Sequence, residues 1–156
     1  MNKITPFLWF DNNLEEAIDF YRSVFKNSSV NNILRYPPNG PGPEGAAMTA
    51  SFTLNGQEFT GINGGPQYKF TEAVSFVIDC QTQEEVDYYW EKLTDGGQEL
   101  ACGWLKDRFG LAWQVTPAIL IKYLGDADRE KAARVMQAMM KMIKLDINAI
   151  EEAYKG

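Results

Sequence analysis

The chain of 156 residues contains no histidine. That absence removes Ser-His-Asp and Cys-His catalysis, the HExxH zinc site and any imidazole proton relay near neutral pH. Acid–base chemistry is left to carboxylates, Lys, Tyr or Cys with shifted pKa values. Cysteine is almost as scarce. Cys80 and Cys102 are too few for a disulfide framework and lack the paired spacing of a zinc site, so both are expected as reduced thiols. No run of about 18 apolar residues occurs, and "MNKITPFLWFD" reaches an acidic residue before a signal-like apolar region develops. Basic residues are outnumbered 15 to 21, giving a net charge of −6, and they are scattered without forming a stripe. That balance opposes a phosphate backbone and an anionic lipid surface alike. The expectation is a soluble, cytoplasmic protein with neither nucleic acid nor membrane as partner.

What is present is enough to build a core, since 45% of the residues are hydrophobic. "KITPFLWFD" reads as a buried strand running into a helix whose stripe is Leu14, Ala17, Ile18, Tyr21, Val24 and Phe25, with Asn13 and Glu16 as its cap. The same design returns. "AVSFVID" is a strand, Thr82 and Glu85 form a capping box, and Val86, Tyr89, Trp90 and Leu93 make the stripe before Gly96-Gly97. Setting Glu15-Glu16 on Glu84-Glu85 gives an offset of 69 residues, with Ala17 on Val86, Tyr21 on Trp90 and Val24 on Leu93. The acidic pairs themselves belong to first helical turns, where the helix dipole favours them.

After the first helix come "SVNNILRY", "AAMTASFTL" and "QEFTGIN", with Asn55-Gly56 as a hairpin turn. After the second come "QELACGW" and "GLAWQVTP", separated by the turn "KDRFG". Each half thus reads as strand, helix, then two or three strands. Between the first two runs lies "PPNGPGPEG", four prolines and three glycines in nine residues, which must be a loop. Pro37–Gly45 is either a solvated connector or a lid over a cleft. The tail from Asp128 repeats Ala132, Met136, Met139 and Ile143 at helical spacing, and Asp146 is placed to cap a last short helix. Its methionines fit a core helix or a dimer contact.

"ITPFLWFDNNLEEAIDFY", "CGWLKDRFGLAWQVTP" and the "AARVMQAMMKM" tail resemble the PhnB-like branch of the glyoxalase/bleomycin resistance/dioxygenase (vicinal oxygen chelate) superfamily, often labelled 3-demethylubiquinone-9 3-methyltransferase. The resemblance covers essentially the whole chain. It implies an α+β fold of two βαβββ modules, about 1–68 and 69–120, whose sheets form a curled mixed sheet around a cleft, plus a helical extension at about 126–155. One domain, 1–156, and a homodimer are implied.

Metal-using members of the superfamily take His, Gln or Glu ligands from the first and a late strand of each module. The late-strand position, counted from Asp107, falls on Gln114. The first-strand position falls on Ile4 and its second-module counterpart near Ala73 or Ser75, while Glu58 is a loose match for the remaining carboxylate. This is a poor ligand set, so no metal and no cofactor are expected. The resemblance turns Gln114 toward the cleft, and strand alternation then leaves Trp113 in the core.

Gln114 is read as a ligand-binding amide or as a satisfied structural one. Trp104 and Arg108 fit stacking on or clamping an aromatic or anionic ligand, or else packing and surface roles. Arg35 and Asn63 are candidates of the same kind. Cys102, near Lys106 and Arg108, is a nucleophile or a small apolar filler. No catalytic residue is assigned. The expected function is binding of a small organic ligand without a metal. The alternatives are a lyase, isomerase or dioxygenase of the superfamily, or the labelled methyltransferase, for which no glycine-rich nucleotide loop follows a strand.

Overall fold

Alternating aromatic and apolar residues after Pro6 form β1 (Phe7–Phe10), and the polar Asp11-Asn12-Asn13 step leads into α1 (Leu14–Val24). The computed structural model describes residues 3–156, in two units that divide between Lys69 and Phe70. In the first unit β2 (Ser28–Arg35), β3 (Ala47–Leu54) and β4 (Gln57–Asn63) complete a sheet of order β1-β4-β3-β2, with β1 parallel to β4 and the other pairs antiparallel. Leu14, Ala17, Ile18, Tyr21 and Val24 of α1 are buried, as the periodicity predicts. They face Leu8, Phe10, Ala50, Phe52 and Phe59, each of which contributes roughly 1.5–3 kcal/mol on full burial if large, less for Ala. Gly61 lies where α1 crosses the sheet, and any Cβ there would overlap Leu14. Asn55 and Gly56 both have positive φ, 48° and 86°, the type I′ geometry that closes the β3–β4 hairpin.

The helix start differs from the sequence reading. Asn13 makes no side-chain cap; the Leu14 N–H donates instead to Oδ1 of Asn63, at 2.9 Å from the far end of β4. The same Asn63 amide donates to the Ala47 carbonyl at 3.0 Å, so one side chain ties three elements together.

The second unit repeats the order with shorter strands: β5 (Ser75–Cys80), α2 (Gln83–Thr94), β6 (Gln98–Glu99), β7 (Trp104–Lys106) and β8 (Ala112–Pro117), ordered β5-β8-β7-β6 with β5 parallel to β8. Val86, Trp90 and Leu93 are the buried stripe of α2, matching the positions 69 residues earlier, and Thr82 caps the helix by accepting from the Glu85 N–H at 3.1 Å. The run "QELACGW" is not one strand. It breaks between β6 and β7 at Cys102 and Gly103, whose φ values of 61° and 82° make a tight turn.

Beyond β8 the chain forms α3 (Ala118–Leu124), which the sequence reading did not anticipate, then α4 (Arg129–Met139) and α5 (Ile147–Lys155). Asp128 and Asp146 cap the last two through their carboxylates. The buried side of α4 is Ala132 and Val135, with Met139 beside it. Met136 is 41% exposed, so the stripe is rotated from the expected one. Leu120, Val135, Leu145 and Ile150 form the core of this helical region. Tyr154 stacks on Tyr123 at 3.8 Å and donates to Asp126 at 2.7 Å, a bond that holds the Asp126 carboxyl below the usual carboxylate range.

The "KDRFG" turn between β7 and β8 is organised by Asp107, which is 3% exposed. Its Oδ1 accepts from the N–H groups of Phe109 (2.9 Å) and Leu111 (3.1 Å), and its Oδ2 accepts from the indole N–H of buried Trp113 at 2.9 Å. Gly110, at φ 89°, gives the turn its left-handed residue. The carboxylate thus fixes both the turn and the side of β8 that faces α2.

Two outcomes are expected from these contacts. Asp107→Ala leaves buried donors unpaired and costs about 3–5 kcal/mol in denaturant unfolding, whereas Asp107→Asn costs less because its amide oxygen keeps the two backbone bonds. Cys80 is fully buried, and that desolvation, aided by the charges of Glu85 and Asp79, pushes its thiol up to about 12. Since the folded value lies above the ordinary 9.0, its contribution to stability is intact below pH 9 and is lost as pH rises toward 12. Alkylation followed by mass spectrometry should therefore leave Cys80 unmodified in the native protein at pH 8 and label it only after unfolding.

Candidate functional site

Strand alternation gives the second sheet two unlike faces. Phe76, Ile78, Cys80, Leu105, Trp113 and Val115 lie on the α2 side and are buried or partly so. The opposite face carries Ser75, Val77 and Asp79 from β5, Ala112, Gln114 and Thr116 from β8, and Trp104 and Lys106 from β7. The register puts Val77, Gln114 and Trp104 in one row across the three strands, and Ser75, Ala112 and Lys106 in the next. Cross-strand neighbours of this kind have Cβ atoms about 4.5–5.5 Å apart, so Trp104 and Gln114 leave the sheet side by side on the same face.

Gln114 is half-buried, and its Nε2 donates to Oγ of Ser75 at 2.9 Å. Every fully buried side-chain nitrogen or oxygen among the described residues has a partner, so the Gln114 Oε1, for which no partner is seen, is not fully buried. The Ser75 hydroxyl accepts that bond and keeps its own O–H to give. Val77, 59% exposed, adds apolar surface beside the amide, while Ala112 and Thr116 are buried. Lys106 forms an ion pair with Glu72, in the segment before β5. This patch therefore offers an aromatic plane, an acceptor and a donor within one row and its neighbour. The sequence reading missed Val77 and the Lys106–Glu72 pair because register decides them; Ser75 was already marked by its first-strand position.

Arg108 lies on the turn, away from that row. Its Nε donates to the Asp95 carbonyl and its Nη2 pairs with the Asp95 carboxylate, both at 3.2 Å, which fastens the turn to the end of α2.

In the first unit Glu58 occupies the face of its sheet turned away from α1. It stands opposite Thr53, in a pattern whose neighbouring rows are Phe7–Thr60–Ser51–Asn32 and Trp9–Ile62–Thr49–Leu34. Arg35 is on the other side, reaching Glu15 of α1 at 3.4 Å and the Gly45 carbonyl at 3.1 Å. Asn63 is occupied by Leu14 and Ala47, and its carbonyl accepts from the Tyr36 hydroxyl at 2.6 Å. Pro37–Gly45 extends the β2–β3 hairpin, held by Tyr36 N–H to Ala46 and Gly45 N–H to Tyr36. A cavity of about 240 Å³ lies under it, lined by Tyr36, Pro43, Ala47, Asn63 and Gly64 among others.

The donors do not fit the superfamily's metal centre. With no imidazole in the chain, the strands of the face bearing Gln114 supply two amide oxygens (Gln98 and Gln114), two hydroxyls and the carboxylate Asp79, together with the Lys106 ammonium, which opposes a cation and is paired with Glu72. Among the described residues no three Cys, Asp or Glu side chains are grouped to hold an ion. Ile4 lies three positions before β1 and is 89% exposed.

Asn63→Ala should cost about 1–2 kcal/mol in denaturant unfolding, the range of a lost helix cap, because the α1 start has no cap of its own.

The 3-demethylubiquinone-9 3-methyltransferase family matches residues 2–116. A solved structure described as a putative 3-demethylubiquinone-9 3-methyltransferase, PhnB protein, from Bacillus cereus is 43% identical, with a TM-score of 0.69; the match covers 75% of this chain and 100% of that one. A protein from Pseudomonas aeruginosa is 20% identical with a TM-score of 0.61, covering 75% of this chain and 98% of that one. A genomically encoded fosfomycin resistance protein from Listeria monocytogenes is 15% identical with a TM-score of 0.58, covering 80% of this chain and 98% of that one, and shares the fold alone. No curated protein matches. Two mixed four-stranded sheets, each with its helix between the first and second strands, are the α+β arrangement of these neighbours, and no helix among the described residues is long and apolar enough to cross a membrane. The chain belongs to the 3-demethylubiquinone-9 3-methyltransferase family.

Proposed function

We propose that this chain is a metal-free binding protein for a small organic ligand, held on the face of the second sheet that carries Gln114 and Trp104, and that it works as a cytoplasmic homodimer. The observation that carries the reading is the Gln114 amide, bonded through Nε2 to Ser75 with its Oε1 not fully buried, in register with half-buried Trp104 and with the Ser75 hydroxyl as donor in the next row. Such a patch suits a flat ring bearing a hydrogen-bond donor and acceptor. Arg35, Asn63 and Arg108 have the structural partners described above. Phe7 (58% exposed) and Leu34 on the first sheet's face away from α1 support a second copy as partner.

Methyl transfer, the activity in the Bacillus cereus protein's description, has no support from the strand-to-helix turns. Asp11-Asn12-Asn13 and Gln81-Thr82 contain no glycine to cradle a nucleotide. Lyase, isomerase or dioxygenase chemistry through a metal lacks a suitable donor set.

Benzamide, a ring with both donor and acceptor, is the probe. In a two-dimensional NMR titration it should give saturable shifts at Val77, Trp104 and Gln114, and Gln114→Ala should weaken binding about tenfold. Shifts that ignore that substitution would sink the reading. Zinc, nickel or manganese should leave the melting temperature unchanged, because only a ligand of the native state raises it.

A further inference from the structure

The family match stops at residue 116, and three quarters of this chain accounts for the whole of the Bacillus cereus relative. Helices α3 to α5 therefore lie beyond the stretch of this chain that the family model matches. Their own hydrophobic cluster explains how they fold, yet leaves open what they do for the rest of the second unit.

The linker between α4 and α5 is bonded to the turn that delivers Trp104. The N–H groups of Cys102 and Gly103 donate to the carbonyls of Met142 (2.9 Å) and Ile143 (2.8 Å). That turn runs from Ala101 to Trp104, closed by the Trp104 N–H on the Ala101 carbonyl at 3.2 Å, with positive φ at both central residues. A cysteine in the left-handed region is strained, and such strain persists only where surrounding contacts over-determine it. Gly103 also accepts from the Val115 N–H at 2.8 Å and lies against Leu145, so the same turn is tied to β8 one residue past Gln114.

The linker is itself anchored at the start of α2. The Gln83 amide donates to the Leu145 carbonyl at 3.1 Å and accepts from the Ile147 N–H at 2.8 Å, and Lys144 pairs with Asp87 at 2.7 Å. The chain of contacts runs from α2 through residues 142–145 to the turn and ends on Trp104, the aromatic member of the Gln114 row.

We propose that the C-terminal helices act as a positioning strap: residues 142–145 hold the Cys102–Gly103 turn so that Trp104 is presented beside Gln114. The idea rests on the reading that this row contacts ligand. A passive stabilising appendage would leave Trp104 in place when the strap is loosened, and that difference is measurable.

The test uses the full chain labelled with 5-fluorotryptophan, the Trp104 resonance being assigned from Trp104→Phe. Gln83→Ala and, as a second variant, Leu145→Ala are compared with wild type by fluorine NMR, with amide exchange at Cys102 and Gly103 measured alongside. The expected result is a shifted or broadened Trp104 resonance in both variants, about tenfold faster exchange of the two amides, an unchanged Trp9 resonance, and weaker benzamide binding. A Trp104 resonance unmoved in both variants overturns the proposal, whatever the amides do. If the resonance moves but benzamide binds none of the proteins, the strap stands and the ligand reading falls.

Discussion

A buried carboxylate with three donors around it sets the geometry of the second unit. Asp107 has to be satisfied because burying a charge without partners is far costlier than any single bond returns. The donors that satisfy it are the two turn amides and the Trp113 indole, which must therefore point toward α2. Once Trp113 faces the helix, alternation along β8 sends Gln114 the other way. The position of the candidate ligand residue is thus a consequence of where its neighbour's N–H must go.

Much of this was legible in the chain. The two helical stripes, their 69-residue offset, the Asn55-Gly56 turn and the Thr82 and Asp146 caps are local signals, and local signals survive folding when packing agrees with them. The exceptions share one cause, partners distant in sequence. Asn13 looks like a cap, but Asn63 arrives from β4 and takes the bond. "QELACGW" looks like a strand, because nothing in Cys-Gly announces a reversal; the turn is held by carbonyls of Met142 and Ile143 that no window around Cys102 contains. The stripe on α4 is rotated because α3, unread in the sequence, offers Leu120 to Val135 rather than to Met136.

The candidate site was legible as residue types and illegible as an arrangement. Gln114 followed from the spacing after Asp107, and Trp104 from its side-chain chemistry. That the two are direct neighbours, with Val77 completing the row, depends on strand register, which a one-residue slip would have reversed. Arg35, Asn63 and Arg108 have the polar chemistry of ligand contacts, yet each has structural partners that only the fold brings near: Glu15, Leu14 with Ala47, and Asp95. The same limit applies to the missing metal ligands. Composition excluded imidazole, but the Lys106 ammonium on the face of Gln114 became visible only through pairing with β8.

The measurement that bears most directly on metal-free ligand binding is native mass spectrometry of the protein purified gently from the cells that make it, with the intact mass compared to the 17.6 kDa chain and its dimer. The account predicts a dimer that carries an organic adduct and no metal, the adduct leaving on collisional activation. A stoichiometric divalent ion would contradict it.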